Sequence, residues 1–173
     1  MRFIQLTGLS GAGKTTIATA VQQQLSQQGY TVEVIDGDVY RQTLCKDLGF
    51  SREDRYENIR RLSALAAEKT KDGIITLLSV IHPYEAMRAW AASTYGAHTV
   101  WIHCPLNVLL QRDTKGLYHR AMLPDGHPEK LHNLTGVNDP YEEPVSPQLI
   151  IHTHEEAIEN SVQRLSSYIL ASL

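Results

Sequence analysis

Gly8-Leu9-Ser10-Gly11-Ala12-Gly13-Lys14-Thr15 is the stretch on which the reading of this chain turns. It matches G-x-x-x-x-G-K-[ST], follows the apolar run Phe3-Ile4-Gln5-Leu6-Thr7, and opens onto helix formers from Thr16-Ile17-Ala18. Strand, loop, helix is the context that a phosphate-binding loop needs. The glycines let the backbone wrap a phosphate with its N–H groups turned inward, and the helix N-terminus adds positive potential. Lys14 can reach β- and γ-phosphates, and the Thr15 hydroxyl can ligate Mg²⁺. Gly8, Leu9, Ser10, Gly11, Ala12, Gly13, Lys14, Thr15 and Thr16 are therefore the candidate ATP-binding set.

Outward from this loop the pattern alternates strand and helix, which argues for an α/β fold with helices on both faces of a parallel sheet. The first strand, Phe3–Thr7, leads to a helix ending near Gln28, with Gly29 as its stop signal. A second strand, Thr31–Ile35, runs into Asp36-Gly37-Asp38, and a short helix is expected over Tyr40–Lys46. Ser51-Arg52-Glu53-Asp54 reads as an N-cap opening a longer helix to Lys71, closed by Gly73. Ile74–Val80 has the apolar character of a strand buried on both faces. A helix follows His82-Pro83 as far as Tyr95, His98–His103 is a fourth strand, and Pro105 sits where a helix begins. Gln148–Ile151 is a fifth strand, and Thr153-x-x-Glu156 is expected to cap the last helix.

The segment from 113 to 147 is rich in Gly, Pro, Asn and His, with one helical turn at Leu117–Met122. A stretch that long in a compact domain is usually functional, often a lid. The expectation is a single domain over 1–173: a P-loop NTPase-type three-layer sandwich with a five-stranded parallel sheet and a lid.

Composition excludes several classes. Charged residues make up 20% of the 173 and the net charge is −3, so no nucleic-acid footprint or membrane-surface patch is expected. The apolar runs fall short of the roughly 20 residues a membrane span needs. The N-terminus enters the first strand almost at once, leaving no room for a targeting segment. Cys45 and Cys104 form no metal or redox spacing, as for free thiols in a reducing cytoplasm. His152-x-His154 would project both rings to one side of an extended chain, but no third metal ligand stands at a recognisable spacing.

A guanine-selecting Asn-Lys-x-Asp is absent, and the third strand ends Leu77-Leu78-Ser79-Val80 without an acidic residue. Carboxylates stand instead at the end of the second strand, as Asp36 and Asp38. Ligands in open α/β sheets bind beyond the carboxyl ends of the strands, so both acids should face the phosphate loop, with Gly37 allowing the sharp turn between them.

Further blocks carry a family resemblance. Asp36-Gly37-Asp38-x-x-Arg41 is followed by Asp47-Leu48-Gly49-Phe50-Ser51-x-x-Asp54-Arg55-x-Glu57-Asn58-Ile59-Arg60-Arg61. Then come Arg112-Asp113-x-Lys115-Gly116-Leu117-Tyr118, Thr135-Gly136 and Asp139-Pro140-Tyr141-Glu142. In this order, across nearly the whole chain, they closely resemble adenylylsulfate (APS) kinases. The resemblance implies transfer of the γ-phosphoryl of MgATP to the 3′-hydroxyl of APS, in a cytoplasmic homodimer. It makes Asp38 the residue that orients the acceptor hydroxyl or takes its proton, beside Asp36. Arg41, Arg55 and Asn58 fall on the phosphosulfate end, and Phe50 packs on the adenine. Lys115 and Arg112 would meet the phosphates from the lid. Arg60 and Arg61 read as structural.

The chain departs from that pattern on the acceptor side. Where the family usually has Phe-Ile-Ser-Pro-Tyr-Arg, it has Val80-Ile81-His82-Pro83-Tyr84-Glu85. This closes any route through a phosphorylated serine there. His82 offers an imidazole that can hydrogen-bond the acceptor or carry charge near neutral pH. The family's Asn-Phe-Thr-Gly is Asn133-Leu134-Thr135-Gly136, so Leu134 keeps an apolar wall opposite Phe50 without a stacking face. His132 replaces a lysine, Val39-Tyr40 follow Asp38, and Leu123-Pro124-Asp125-Gly126-His127-Pro128 reads as inserted. The alternative implied by these changes is another nucleotide-like acceptor, such as cytidine diphosphoramidate.

Overall fold

The computed structural model describes residues 2–173. Its strands are β1 (Phe3–Thr7), β2 (Val32–Asp36), β3 (Ile75–Ser79), β4 (His98–His103) and β5 (Leu149–His152). All pair in parallel, in the order β2-β3-β1-β4-β5. The helices are α1 (Lys14–Gln27), α2 (Gly37–Tyr40), α3 (Arg52–Lys71), α4 (Glu85–Tyr95), α5 (Leu106–Arg112), α6 (Leu117–Met122) and α7 (Ile158–Ala171).

Successive strand residues face opposite sides of a sheet, and the central strands bury both. Ile4 and Leu6 of β1 and Leu77 of β3 join a core with Ile17, Val21, Leu165 and Ile169 of α1 and α7. Phe3 and Leu78 join a second core with Ile59 and Leu62 of α3 and Ala91 of α4. Each Leu or Ile so buried contributes roughly 1.5–3 kcal/mol. The result is the expected three layers.

Strand starts shift by at most a residue, but two helices begin elsewhere than the sequence suggests. The Asp36 carboxylate accepts from the amides of Asp38 and Val39, so α2 begins at Gly37 and residues 41–47 remain in turns. The expected helix over Tyr40–Lys46 is absent because the cap lies further upstream. Likewise α7 starts at Ile158 with Ala157 as its N-cap and no side-chain cap bond. Thr153 does not cap it: its hydroxyl donates to the Ala12 carbonyl at 2.9 Å. Glu156 pairs with Arg164 at 2.7 Å. Ser51, by contrast, caps α3 as read, accepting from the Asp54 amide.

Two glycines are required by close approach. A Cβ on Gly8 would lie 2.3 Å from the Ile102 carbonyl oxygen, and one on Gly37 would lie 2.6 Å from Val80 Cγ1. Gly37 is thus needed for packing against the end of β3, and its φ is not positive.

The segment from 113 to 147 lies against the rest of the chain through side chains. Tyr118 Oη donates to Ser10 O at 2.7 Å, tying α6 to the phosphate loop. Lys130 Nζ donates to Ala121 O and Leu123 O, closing the inserted turn. At its far end, Glu142 N donates to Pro83 O at 2.9 Å and Glu142 Oε2 accepts from Glu85 N at 2.7 Å.

Candidate active site

The carboxyl ends of β1, β2 and β3 meet at the phosphate loop, where a cavity of about 270 Å³ is lined by Ser10, Gly11, Gly13, Lys14, Thr15 and Thr16 together with Asp36, Asp38, Ser79, Thr114 and Lys115. Gly8, Leu9 and Ala12 shape the loop without lining this cavity. Gly8 N donates to Ile81 O at 3.2 Å, and Ala12 is buried in the core. Lys14 curls back, with Nζ donating to Gly8 O and Leu9 O at 2.8 Å each. Burial pushes its ammonium down to about 8, partly offset by the nearby Asp38 carboxylate. Phosphate charge beside it would favour the cation again.

Thr15 Oγ1 donates to Asp36 Oδ2 at 2.6 Å and lies 3.0 Å from Ser79 Oγ. Hydroxyl and carboxylate oxygens gathered this closely are the hard donors that Mg²⁺ prefers. Asp36, read both as facing the phosphate loop and as an acceptor contact beside Asp38, lies on the phosphate-loop side, where one oxygen caps α2 and the other receives Thr15.

A second cavity, of about 140 Å³, is lined by Gly37, Asp38, Arg41, Phe50, Arg55, Asn58, Val80, Ile81 and His82 among others. Phe50 is 49% exposed, and the Arg41 guanidinium lies 4.3 Å from its ring centroid. Arg41 also donates to Gly49 O at 2.8 Å. Its guanidinium is shifted down by burial and by the Arg55 charge. Among the described residues, Asn58 Oδ1 and both His82 ring nitrogens are buried without a hydrogen-bond partner. Buried polar atoms are nearly always paired, so these atoms mark a wall suited to a polar ligand.

Arg55 is more committed than the sequence suggests. It donates to Phe50 O, Thr135 Oγ1, Asn133 O and Asp139 Oδ2, locking α3 to the segment at 133–139. Thr135 is 1% exposed and spends its hydroxyl on Arg55. Leu134 does not line the cavity. It is buried in the core with Tyr118 and Ala121, so no wall opposite Phe50 is formed by it here. Of the two roles read for His82, the geometry favours the neutral hydrogen-bonding one: burial, then the Arg88 charge, pushes its imidazole down to about 3.

Lys115 and Asp38, 77 positions apart, form an ion pair at 2.9 Å across the mouth of the first cavity. Arg112 lies beside the loop, with its guanidinium within 3.5 Å of Thr153 O. Arg60 and Arg61 are structural as read, bound to Glu57 and, for Arg61, also to Asp47.

Sequence reasoning missed Arg88. Buried at 1% exposure, it donates to Glu85 Oε2, His82 O and Glu142 O. It thereby holds His82 at a φ of 53°, a left-handed backbone that costs about 1 kcal/mol or more for such a residue. The spacing of Glu85 and Arg88 on one helix was the available signal, and it explains why an acid suits position 85.

The fold and the site define a phosphate-binding-loop kinase. A family model described as adenylylsulphate kinase matches residues 2–152. The adenylyl-sulfate kinase of Halothermothrix orenii is 45% identical over 167 residues, covering 96% of this chain and 88% of its own. That of Rippkaea orientalis is 45% identical over 163 residues, covering 94% and 87%. A solved structure of the Mycobacterium tuberculosis APS kinase in complex with AMPPNP and APS aligns with a TM-score of 0.88 at 34% identity, over 97% of this chain and 98% of that one. The chain belongs to the adenylylsulphate kinase family.

Proposed function

We propose that this enzyme transfers the γ-phosphoryl group of ATP to the 3′-hydroxyl of adenosine 5′-phosphosulfate. The observation that carries this reading is that the two cavities share Asp38, Val80 and Ile81, so a donor on the phosphate loop and an acceptor beside Phe50 and Arg41 meet at one carboxylate. Phosphoryl transfer depends mainly on positioning and charge neutralisation. Asp38 receives the proton of the attacking hydroxyl, the bond from γ-phosphorus to the bridging oxygen breaks, and ADP departs. Lys14 leaves its own loop carbonyls for the phosphates, and Lys115 leaves Asp38 as the lid over about 113–147 closes. Thr15, with Asp36 behind it, would hold Mg²⁺, which supplies charge neutralisation at the phosphates.

In the acceptor cavity Phe50 takes the adenine, where stacking is worth roughly 1–3 kcal/mol. Arg41 and Asn58 take the phosphosulfate, and neutral His82 hydrogen-bonds the acceptor. Arg55 acts mainly by holding this wall to the lid segment. The family resemblance further supports a cytoplasmic homodimer. Among the described residues no helix is long and apolar enough to cross a membrane.

Release of ADP from ATP tests the reading when purified protein is offered APS or a panel of nucleoside phosphates and cytidine diphosphoramidate. Turnover is expected with APS. Saturable turnover on a cytidine nucleotide with none on APS would replace the acceptor while keeping the kinase.

A further inference from the structure

The parallel register of β4 and β5 sets His103 opposite His152, and His154 lies two residues on, towards the same side. We propose that His103, His152 and His154 bind a divalent transition ion of the zinc class. This site is independent of which acceptor the kinase uses. One candidate ligand atom from each residue lies within 4.8 Å of the others.

His103 Nδ1 and His152 Nδ1 are 3.1 Å apart, one donating to the other. With both rings protonated at Nε2 instead, two Nδ1 lone pairs face one point. Two nitrogens on a tetrahedral zinc, each about 2.0–2.1 Å from it, stand about 3.3 Å apart. His154 Nε2 lies 3.1 Å from Glu155 Oε1, while its Nδ1 is buried with no partner among the described residues. A carboxylate behind a ligating imidazole is the usual outer support of a metal site.

Imidazole donors select zinc, copper or nickel over magnesium, so this site would not compete for the ion at Thr15. All three rings are half-buried, within reach of a solvated ion, and a water can complete four-coordination. None of them lines the donor or acceptor cavity.

The location gives the ion a role. Thr153, between two of the ligands, donates its amide to His103 O at 3.0 Å and its hydroxyl to Ala12 O at 2.9 Å. An ion held here would pin the ends of β4 and β5 to the phosphate loop.

Calorimetric titration of the chelator-treated full chain with zinc chloride alone, without nucleotide or magnesium, tests this. One zinc per chain is expected, with Kd at or below about 10 μM. His103→Ala, His152→Ala and the milder His152→Gln should each weaken it at least ~30-fold, whereas exposed His119→Ala should not. Zinc should raise the melting temperature of the parent by roughly 5–10 °C at about 100 times Kd, and leave that of His152→Gln unchanged. Cobalt in place of zinc should show tetrahedral visible absorption that His152→Gln lacks. Binding weaker than about 1 mM, or equal binding by parent and His103→Ala, would overturn the proposal.

Discussion

His82 stands in surroundings far from those of a free imidazole: 1% exposed, neither ring nitrogen partnered among the described residues, φ at 53°. Burial and the Arg88 guanidinium hold its pKa at about 3, well below the 6.5 of a free imidazole. In that window the unfolded chain takes up a proton that the native chain refuses. Stability is therefore full above about pH 6.5 and is lost as pH falls toward 3, by at most about 1.4 kcal/mol per pH unit. Urea unfolding at pH 7.5, 6.0 and 5.0 should show the parent losing more stability than His82→Asn, whose residue tolerates positive φ. Equal losses would contradict a buried neutral imidazole. The sequence shows that an imidazole replaces a hydroxyl here. It does not show the burial that decides charge, because that depends on Arg88 and on Glu142, far along the chain.

At the scale of elements, the segment from 113 to 147 shows where sequence reading succeeds and where it stops. The turn at Leu117–Met122 forms as read, since its apolar residues repeat at helical spacing. The placement of Leu134 does not follow from its neighbours. Asn133 O and Thr135 Oγ1 both turn toward Arg55, and the side chain between them enters the core. Leu134→Phe should consequently cost roughly 1–3 kcal/mol by overpacking and leave the KM for APS unchanged. Denaturant melts with initial-rate kinetics check this. A lower KM with stability intact would return Leu134 to the acceptor wall. The α7 start was misread for a related reason: Thr153 is a good capping residue, and tertiary packing turns its hydroxyl to the Ala12 carbonyl instead. The α2 start was misread because Asp36 caps locally, upstream of Tyr40.

Across the whole molecule, the sheet order brings together what the sequence holds apart. Its parallel architecture was legible because strand-sized, largely apolar runs alternate with helical stretches along the chain. The phosphate loop was legible because its chemistry is local. The histidine cluster was not, since His103 and His152 meet only through the register of two strands 49 positions apart. The meeting of two cavities at Asp38 is likewise a product of topology, with Lys115 reaching it from the segment after α5. Everything proposed for the reaction passes through that carboxylate. Turnover on APS and ATP affinity, measured side by side for the parent and Asp38→Asn, test it most directly. Turnover should fall at least ~10²-fold while the Kd for ATP stays within about threefold; near-normal turnover by Asp38→Asn would contradict the account.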